Sequence, residues 1–352
     1  MKVHHVLNHT SGLQNALSSL VQDNPMVLCD WEECLKRVAM VAPESEPGQQ
    51  QLYHYLSYGW LCGGIIQHAS KRKFQDILEE AMVHPLNVEG ELYIGIPQGM
   101  IQPILFIFTI SSLKFECNAT YTLKKNSVES RLATLTLDTN DLNKLAEVSS
   151  PTSISSSSSP PMFQFDILAG LVPFFNTLNV RRAILPAANG HCSARALARY
   201  YAALLDGGVV PPPHSSLSQP PLGSHPHHPK DTTNKKYGGN KKDSKTNNLN
   251  DFKIFSSQKS KLHDSFLGIG DYENLVLPNG DFGLGFKRVC SKDGSLIGFG
   301  HSGLGGSTAY CDINNRFAIS VTLNKLSFGS VTRDIIQFVC SELNIPVPEE
   351  YA

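Results

Sequence analysis

The stretch GFGHSGLGGSTAYCDINNRFAISVTLNKL, residues 298–326, carries the strongest fold signal in the chain. It consists of short runs rich in β-branched and aromatic residues, separated by glycine- and asparagine-rich segments, and this pattern is typical of antiparallel strands. Asn314-Asn315 predicts a hairpin turn, because asparagine tolerates left-handed backbone conformations. With the residues that precede it, the stretch predicts four strands over 282–289, 295–300, 307–312 and 317–323.

Segments with helical spacing of apolar residues lie on both sides of these strands. Three of them, 51–70, 74–82 and 193–205, precede the strands, and a fourth, 331–343, follows them. Ser193 is a suitable N-cap, and Gly207-Gly208 is a suitable helix end. A mainly helical part, then an antiparallel meander, then one covering helix predict an α+β fold.

Composition narrows the class of protein. The 352 residues carry a net charge of −1, which argues against a nucleic-acid partner or binding to an acidic membrane surface. No apolar run reaches the roughly 20 residues that a membrane-spanning helix needs, and the N-terminus lacks the apolar core of a secretory signal. Eight scattered cysteines without a CxxC pattern indicate free thiols. We therefore expect a soluble intracellular protein, cytoplasmic or organellar, with no cofactor and no bound metal.

Three segments differ in composition from the rest of the chain. We interpret residues 100–127, an apolar run followed by polar residues, as an insertion derived from a retained intron; an exposed strand or hairpin is the alternative. Residues 151–161, PTSISSSSSPP, predict a flexible joint. Residues 208–265 have too few apolar residues to offset the entropy of ordering and predict a disordered insertion. The remaining parts, 1–207 and 266–352, are expected to form one domain.

Four stretches, in their order along the chain, resemble the serine β-lactamase and penicillin-binding-protein-like hydrolases, most closely the class C and esterase-type branch. They are HHVLNHTSGL (4–13), YHYLSYGWLCGGII (53–66), LPAANGHCSARALARYYAALLDGG (185–208) and the 298–326 stretch. The chain is also similar to the C-terminal domain of plant AarF-type kinase fusions. The resemblance implies a β-lactamase/transpeptidase-like fold, with a helical subdomain and an antiparallel sheet flanked by helices. It also implies hydrolysis of a small ester, amide or lactam through an acyl-enzyme.

The resemblance places the family's tyrosine motif at Tyr55-Leu56-Ser57. It implies that Tyr55 carries protons at the reacting centre, while Ser57 stands where the family has asparagine. A serine hydroxyl reaches less far than a carboxamide toward a substrate amide. The alternative is that Tyr55 is an ordinary core residue, since tyrosine in an apolar helical run usually packs inside.

The family's strand motif corresponds to His301-Ser302-Gly303. The side chains of His301 and Gly303 are expected on one face of an edge strand, and that of Ser302 on the other. The resemblance implies that this motif binds the substrate carboxylate and that His301 acts as a titratable hydrogen-bond donor. It also implies that the backbone N–H of Leu304 helps to stabilise an oxyanion. The alternative is an ordinary glycine-rich β-turn.

The nucleophile motif of the family, Ser-x-x-Lys upstream of the HTSGL stretch, is missing. The chain has three matches, Ser70 to Lys73, Ser111 to Lys114 and Ser256 to Lys259, and we assign the nucleophile to none of them. We therefore expect a domain that is incomplete at its N-terminus, with one unpaired sheet edge and no activity by itself. The alternatives are a non-catalytic binding or interaction module and the C-terminal fragment of a longer kinase-fused protein.

We predict that limited proteolysis with trypsin cuts first within residues 211–262. This part of the low-complexity segment is lysine-rich and too polar to pack against a core. Mass spectrometry of the earliest fragments measures the cut sites. Early cuts elsewhere, with this stretch intact, would contradict the prediction.

Overall fold

The computed structural model describes residues 1–97, 132–137, 165–211, 253–255, 257–327 and 329–352, with side chains from residue 170 onward in the third range. The predicted insertion at 100–127, the joint at 151–161 and most of segment 208–265 lie outside the described residues. Of the described helices, none is both long enough and apolar enough to cross a membrane.

The described elements follow the predicted order, with helices first, then the antiparallel sheet and one last helix. The helices are α1 Val3–Leu7, α2 Ser18–Asp23, α3 Trp31–Met40, α4 Ser57–Ser70, α5 Phe74–Leu78, α6 His84–Leu86, α7 Phe165–Asn176, α8 Leu178–Arg182, α9 Ala194–Leu205, α10 Lys259–Leu267 and α11 Ser330–Glu342. The strands are β1 Leu92–Ile94, β2 Thr136–Leu137, β3 Gly190–Cys192, β4 Lys287–Cys290, β5 Leu296–Ser302, β6 Thr308–Asp312, β7 Phe317–Val321 and β8 Lys325–Leu326.

The main sheet has four antiparallel strands in the order β4-β5-β6-β7. Strand β5, which carries His301 and Ser302, is therefore an interior strand and not the predicted edge strand. In its register His301 pairs with Ala309, and Ser302 pairs with Thr308. Two smaller pairs, β1 with β3 and β2 with β8, lie outside this sheet. The α+β prediction is confirmed.

The main sheet separates two apolar layers. Phe299 and Cys311 pack on one face, against residues of α9 and α10. Tyr310 packs on the other face, against Ile336 and Cys340 of α11. Neighbouring residues of a strand point to opposite faces, and residues two apart share a face. His301 therefore lies on the α9 side, with Phe299. Ser302 lies on the α11 side, as does Gly300, which pairs with Tyr310.

A separate aromatic core holds α3 against α4. The rings of Trp31 and Trp60 stack with centroids 6.4 Å apart, and Trp60 is fully buried. The two helices approach closely at Gly63, where a Cβ atom would lie 2.6 Å from the Trp31 ring. This packing fixes the start of α4, which follows the predicted tyrosine motif.

Several element boundaries differ from the sequence predictions for local reasons. The helix predicted from residue 51 begins at Ser57, since the preceding residues are extended toward the HTSGL loop. In the β6–β7 turn the left-handed residue is Arg316 (φ 51°) rather than Asn314 or Asn315, and Asp312 Oδ1 accepts from the Asn315 N–H at 3.0 Å. Ser193 is the N-cap of α9, as predicted, because its hydroxyl accepts from the Ala196 N–H.

The predicted disordered insertion 208–265 extends too far at its C-terminal end. Helix α10 begins at Lys259, and its residues Leu262 and His263 are buried. The His263 ring bonds the Leu204 carbonyl oxygen at 3.1 Å, which attaches α10 to α9. The disorder prediction rests on the composition of the whole segment, and this average does not show that its last residues contain buried side chains.

We predict that Asn189→Ala lowers the free energy of unfolding by about 2–3 kcal/mol, because it leaves buried backbone groups without partners. Asn189 Nδ2 donates to the carbonyls of Val180 (2.8 Å) and Ala183 (2.7 Å), and Oδ1 accepts from the Leu185 N–H. Urea unfolding measures the change. Asn179→Ala, at an exposed position of α8, is the matched control and should change it by less than about 0.5 kcal/mol. Equal effects of the two changes would contradict the prediction.

Candidate functional site

The HTSGL loop is anchored by a buried pair of side chains, Ser11 and His54, both 0% exposed. His54 Nδ1 lies 2.6 Å from the Leu52 carbonyl oxygen, so this nitrogen carries the proton and donates it. Nε2 is therefore an acceptor, and the Ser11 hydroxyl donates to it at 2.5 Å while accepting from the Leu13 N–H at 3.2 Å. A serine beside a histidine base resembles a nucleophile pair, but complete burial keeps substrate away from Ser11. We therefore assign the Ser11–His54 pair a structural role, which is to hold the HTSGL loop in place.

His9 forms the centre of an aromatic cluster. Its ring contacts those of Phe282, Tyr58, Tyr53 and His54, with centroids 4.2, 4.7, 4.9 and 5.2 Å away. The residue is buried in a left-handed conformation (φ 61°), and its Nδ1 accepts from the His54 backbone N–H at 3.2 Å. Burial, followed by nearby His54 and His301, lowers the pKa of His9 to about 3. The ring is thus neutral at physiological pH.

Tyr53 connects the two parts of the predicted site. Its ring meets that of Tyr55 almost at a right angle, with centroids 4.9 Å apart, and lies 5.5 Å from that of His301. It also stacks on Phe282 at 5.6 Å. Burial, and then Tyr55, raise the pKa of Tyr53 to about 12, while burial raises the pKa of Tyr55. Sequence analysis did not single out Tyr53, although its position two residues before Tyr55 was the available signal.

His301 and Ser302 point to opposite faces of the sheet. The His301 ring lies against Tyr53 and, at 6.0 Å, Phe282. The Ser302 hydroxyl instead joins Thr308 Oγ1 and Tyr351 OH, each at 3.0 Å, and donates to Glu350 Oε1 at 3.1 Å. Ser302 therefore does not share the cluster that contains Tyr55 and His301.

A tight turn follows β5 and presents Leu304. The Gly303 N–H donates to the Ser307 carbonyl at 2.7 Å, and the Gly306 N–H donates to that of Gly303 at 2.9 Å. Leu304 is 39% exposed at this turn. Within the described ranges, its N–H has no hydrogen-bond acceptor. A groove of about 400 Å³ lies behind the turn on the Ser302 side and includes Arg333 and Glu350 in its wall.

Ser57 does not face a surface. It is 1% exposed at the start of α4, and its hydroxyl donates to the Gln14 carbonyl at 3.3 Å. This bond attaches α4 to the HTSGL loop. Among the described residues, no group of three or more His, Cys, Asp or Glu side chains is arranged to hold a metal ion.

We predict that the protein loses stability as the pH falls below about 6.5. Burial lowers the pKa of His9, His54 and His301, so the unfolded chain binds more protons than the folded one once its free histidines titrate. The stabilisation is complete above about pH 6.5 and is lost as the pH falls toward the His9 value of about 3. His9 alone accounts for about 2 kcal/mol between pH 7.5 and 5.

Urea unfolding at the two pH values measures this difference for the wild type and for His9→Asn. Asparagine tolerates the left-handed backbone and does not titrate, so the variant should be less stable at pH 7.5 but less sensitive to pH. The same pH dependence in both proteins would contradict the assignment to His9.

Comparison with known proteins supports the predicted fold. A family model described as Beta-lactamase matches residues 1–337. The curated Esterase/beta-lactamase LipL of Mycobacterium tuberculosis is 24% identical over 340 residues, which are 96% of this chain and 62% of that protein. Among solved structures, the chain resembles a penicillin-binding protein homolog from Caulobacter crescentus, with 22% identity and a TM-score of 0.50 over 93% of this chain and 66% of that one. It also resembles EstA from Arthrobacter nitroguajacolicus Rue61a, with 17% identity and a TM-score of 0.53 over 96% of this chain and 73% of that one.

These comparisons confirm the expected β-lactamase/transpeptidase-like fold, with its helices and antiparallel sheet. The chain spans 62% of the length of the curated relative that it matches. The match to the family model nevertheless runs through almost the whole chain, including the HTSGL loop, the tyrosine motif and the main sheet. The chain belongs to the beta-lactamase family.

Proposed function

We propose that this chain carries part of a serine-hydrolase site for a small ester, amide or lactam. The observation that supports it most directly is the Tyr53 ring, which contacts both Tyr55 and His301 although the two are far apart in sequence. A proton carrier and a titratable ring donor must both reach one reacting atom, within about a hydrogen bond or one water. In this proposal Tyr55 carries the proton and His301 contacts the substrate.

The turn after β5 has the features needed to bind an oxyanion. Gly303 lets a substrate approach the strand, and the Leu304 N–H is available at an exposed turn. A fixed backbone N–H aimed at the developing negative charge stabilises a tetrahedral intermediate. In the family's mechanism the second donor is the backbone N–H of the nucleophile itself. Ser57 and Ser302 are supporting residues in this proposal, because both hydroxyls bond within the protein.

In this proposal the nucleophile is not assigned to any of the three Ser-x-x-Lys matches, and the structure describes only Ser70 among them. Ser70 ends α4, about 20 Å along the helix from Ser57. There its Oγ accepts from the Arg72 N–H. Ser70 is therefore at the end of a helix, whereas the family's nucleophile stands at a helix start. Ser111 and Ser256 lie outside the described residues. We infer that the 352-residue chain forms no acyl-enzyme by itself.

We predict that a fluorophosphonate probe or a fluorescent penicillin does not label the purified chain stoichiometrically. Ser70→Ala, Ser111→Ala and Ser256→Ala should leave any weak labelling unchanged, because none of them is assigned to the site. Intact-protein mass spectrometry measures the adduct, and an active serine hydrolase is the positive control. Stoichiometric labelling that one of these substitutions abolishes would overturn the inactivity proposal and identify the nucleophile.

A second candidate is a role without catalysis, as a binding module or as the C-terminal fragment of a longer protein that includes an AarF-type kinase part. The length comparison supports only the fragment alternative, because the chain spans 62% of LipL and 66% of the Caulobacter homolog. Sequencing the transcript upstream of the Met1 codon tests it. An in-frame Ser-x-x-Lys before HTSGL favours the truncated hydrolase, and an upstream kinase sequence favours the fusion.

We also propose an intracellular location for this chain, in the cytoplasm or an organelle. Seven cysteines fall within the described ranges, and all seven are free thiols. Buried free thiols such as Cys34, Cys311 and Cys340 are typical of reducing compartments.

A further inference from the structure

The charged residues nearest to His301 in the sheet are already engaged elsewhere. On β4, Lys287 pairs with Gly300 in the register, which puts its side chain on the face opposite to His301. There Lys287 Nζ binds Glu350 Oε2 at 2.6 Å. Burial lowers the pKa of His301 the most, while Lys287 lowers it slightly and Glu350 raises it slightly.

Arg288 is the β4 cation on the His301 face, because it pairs with Phe299. Its guanidinium donates to four backbone carbonyls at 2.7–3.4 Å, those of Leu267, Gly268, Pro278 and Gly280. Those bonds hold the loop between α10 and β4 and occupy the donors that would otherwise bind an anion. Arg288 therefore serves the loop and not a ligand.

The surface left beside His301 is aromatic and neutral. Tyr53 and Phe282 stack on each other and flank the imidazole, so the ring has apolar neighbours on this side. Burial is the main cause that lowers the pKa of His301, which keeps the ring uncharged at neutral pH. The N–H of the neutral ring can donate a hydrogen bond to a carbonyl or ester oxygen.

We propose that this site takes an uncharged ester or amide with an aromatic or apolar group, and that His301 and Tyr53, supported from behind by the buried Phe282, make it discriminate against ligands that carry a carboxylate. The inference rests on the proposed function and narrows its substrate class. A carboxylate that enters the site loses hydration and, among the described residues of the main sheet, meets no free cation on the His301 face. Arg333 lines the groove on the opposite, Ser302 face. A neutral ester of the same shape avoids that cost and keeps the ring contacts.

Methyl phenylacetate and phenylacetate test this difference, since they share the phenylacetyl group and differ in charge and in one methyl group. Each is titrated into the full chain at pH 7.5 and followed by ligand-observed NMR. We expect the ester to bind at least about tenfold more tightly than the anion, which corresponds to about 1.4 kcal/mol. His301→Lys should remove or reverse this preference, whereas His301→Gln, which stays neutral, should retain it.

Asn314→Lys is the matched control, since it adds the same charge at an exposed position in the β6–β7 turn. It should leave the ratio of the two affinities unchanged. Equal or tighter binding of phenylacetate by the wild type, or a shift of the ratio by Asn314→Lys as large as that by His301→Lys, would overturn the neutral-substrate inference and leave the proposed function standing. Failure of both ligands to bind would overturn the proposed function, and this inference with it.

Discussion

The insertion of the His9 ring among aromatic side chains is the interaction on which the candidate site depends. Tyr53 reaches it from the segment before α4, Tyr58 from the first turn of α4, and Phe282 from the segment before β4. Hydrogen bonds reinforce this junction, because Gln51 Nε2 donates to the Asn8 carbonyl at 2.8 Å and the Gly285 N–H donates to that of Leu7 at 3.0 Å. Together with Phe282, the neutral His9 ring holds Tyr53 between Tyr55 and His301. An aromatic side chain orders several segments because it offers a large apolar area with few rotatable bonds.

The charged residues of the main sheet near His301 are bonded within the protein. Its two cations on β4 have structural partners, Glu350 for Lys287 and backbone carbonyls for Arg288. The face that carries His301 is thereby left with rings and neutral donors, while hydroxyls and an ion pair occupy the opposite face. Strand alternation alone produces this separation between His301 and Ser302. The contrast between the faces is therefore a consequence of register, and a shift by one residue would exchange them.

Local patterns predicted much of the architecture. The period of the apolar residues located α9 and α11 to within a residue or two, since each helix buries one continuous stripe. The turn-separated runs located β5, β6 and β7 for a similar reason. The resemblance selected Tyr55 and His301, which both contact Tyr53. It did not select Tyr53 itself, because the role of that residue arises from ring contacts with three distant segments and leaves no spacing pattern.

The sequence by itself determined the α+β order, the positions of β5, β6 and β7, and the family, because these depend on short-range periodicity and on motifs in a set order. It placed β4 too early, at 282–289, whereas the strand spans Lys287–Cys290. Only the tertiary structure decided that Ser57 is buried against Gln14, that Ser302 faces Tyr351, and that Arg288 is engaged by a loop. It also decided that the Ser11–His54 pair is sealed inside the protein. Each of these outcomes depends on which distant surface covers a side chain. Burial is a property of long-range packing, and a linear pattern does not specify it.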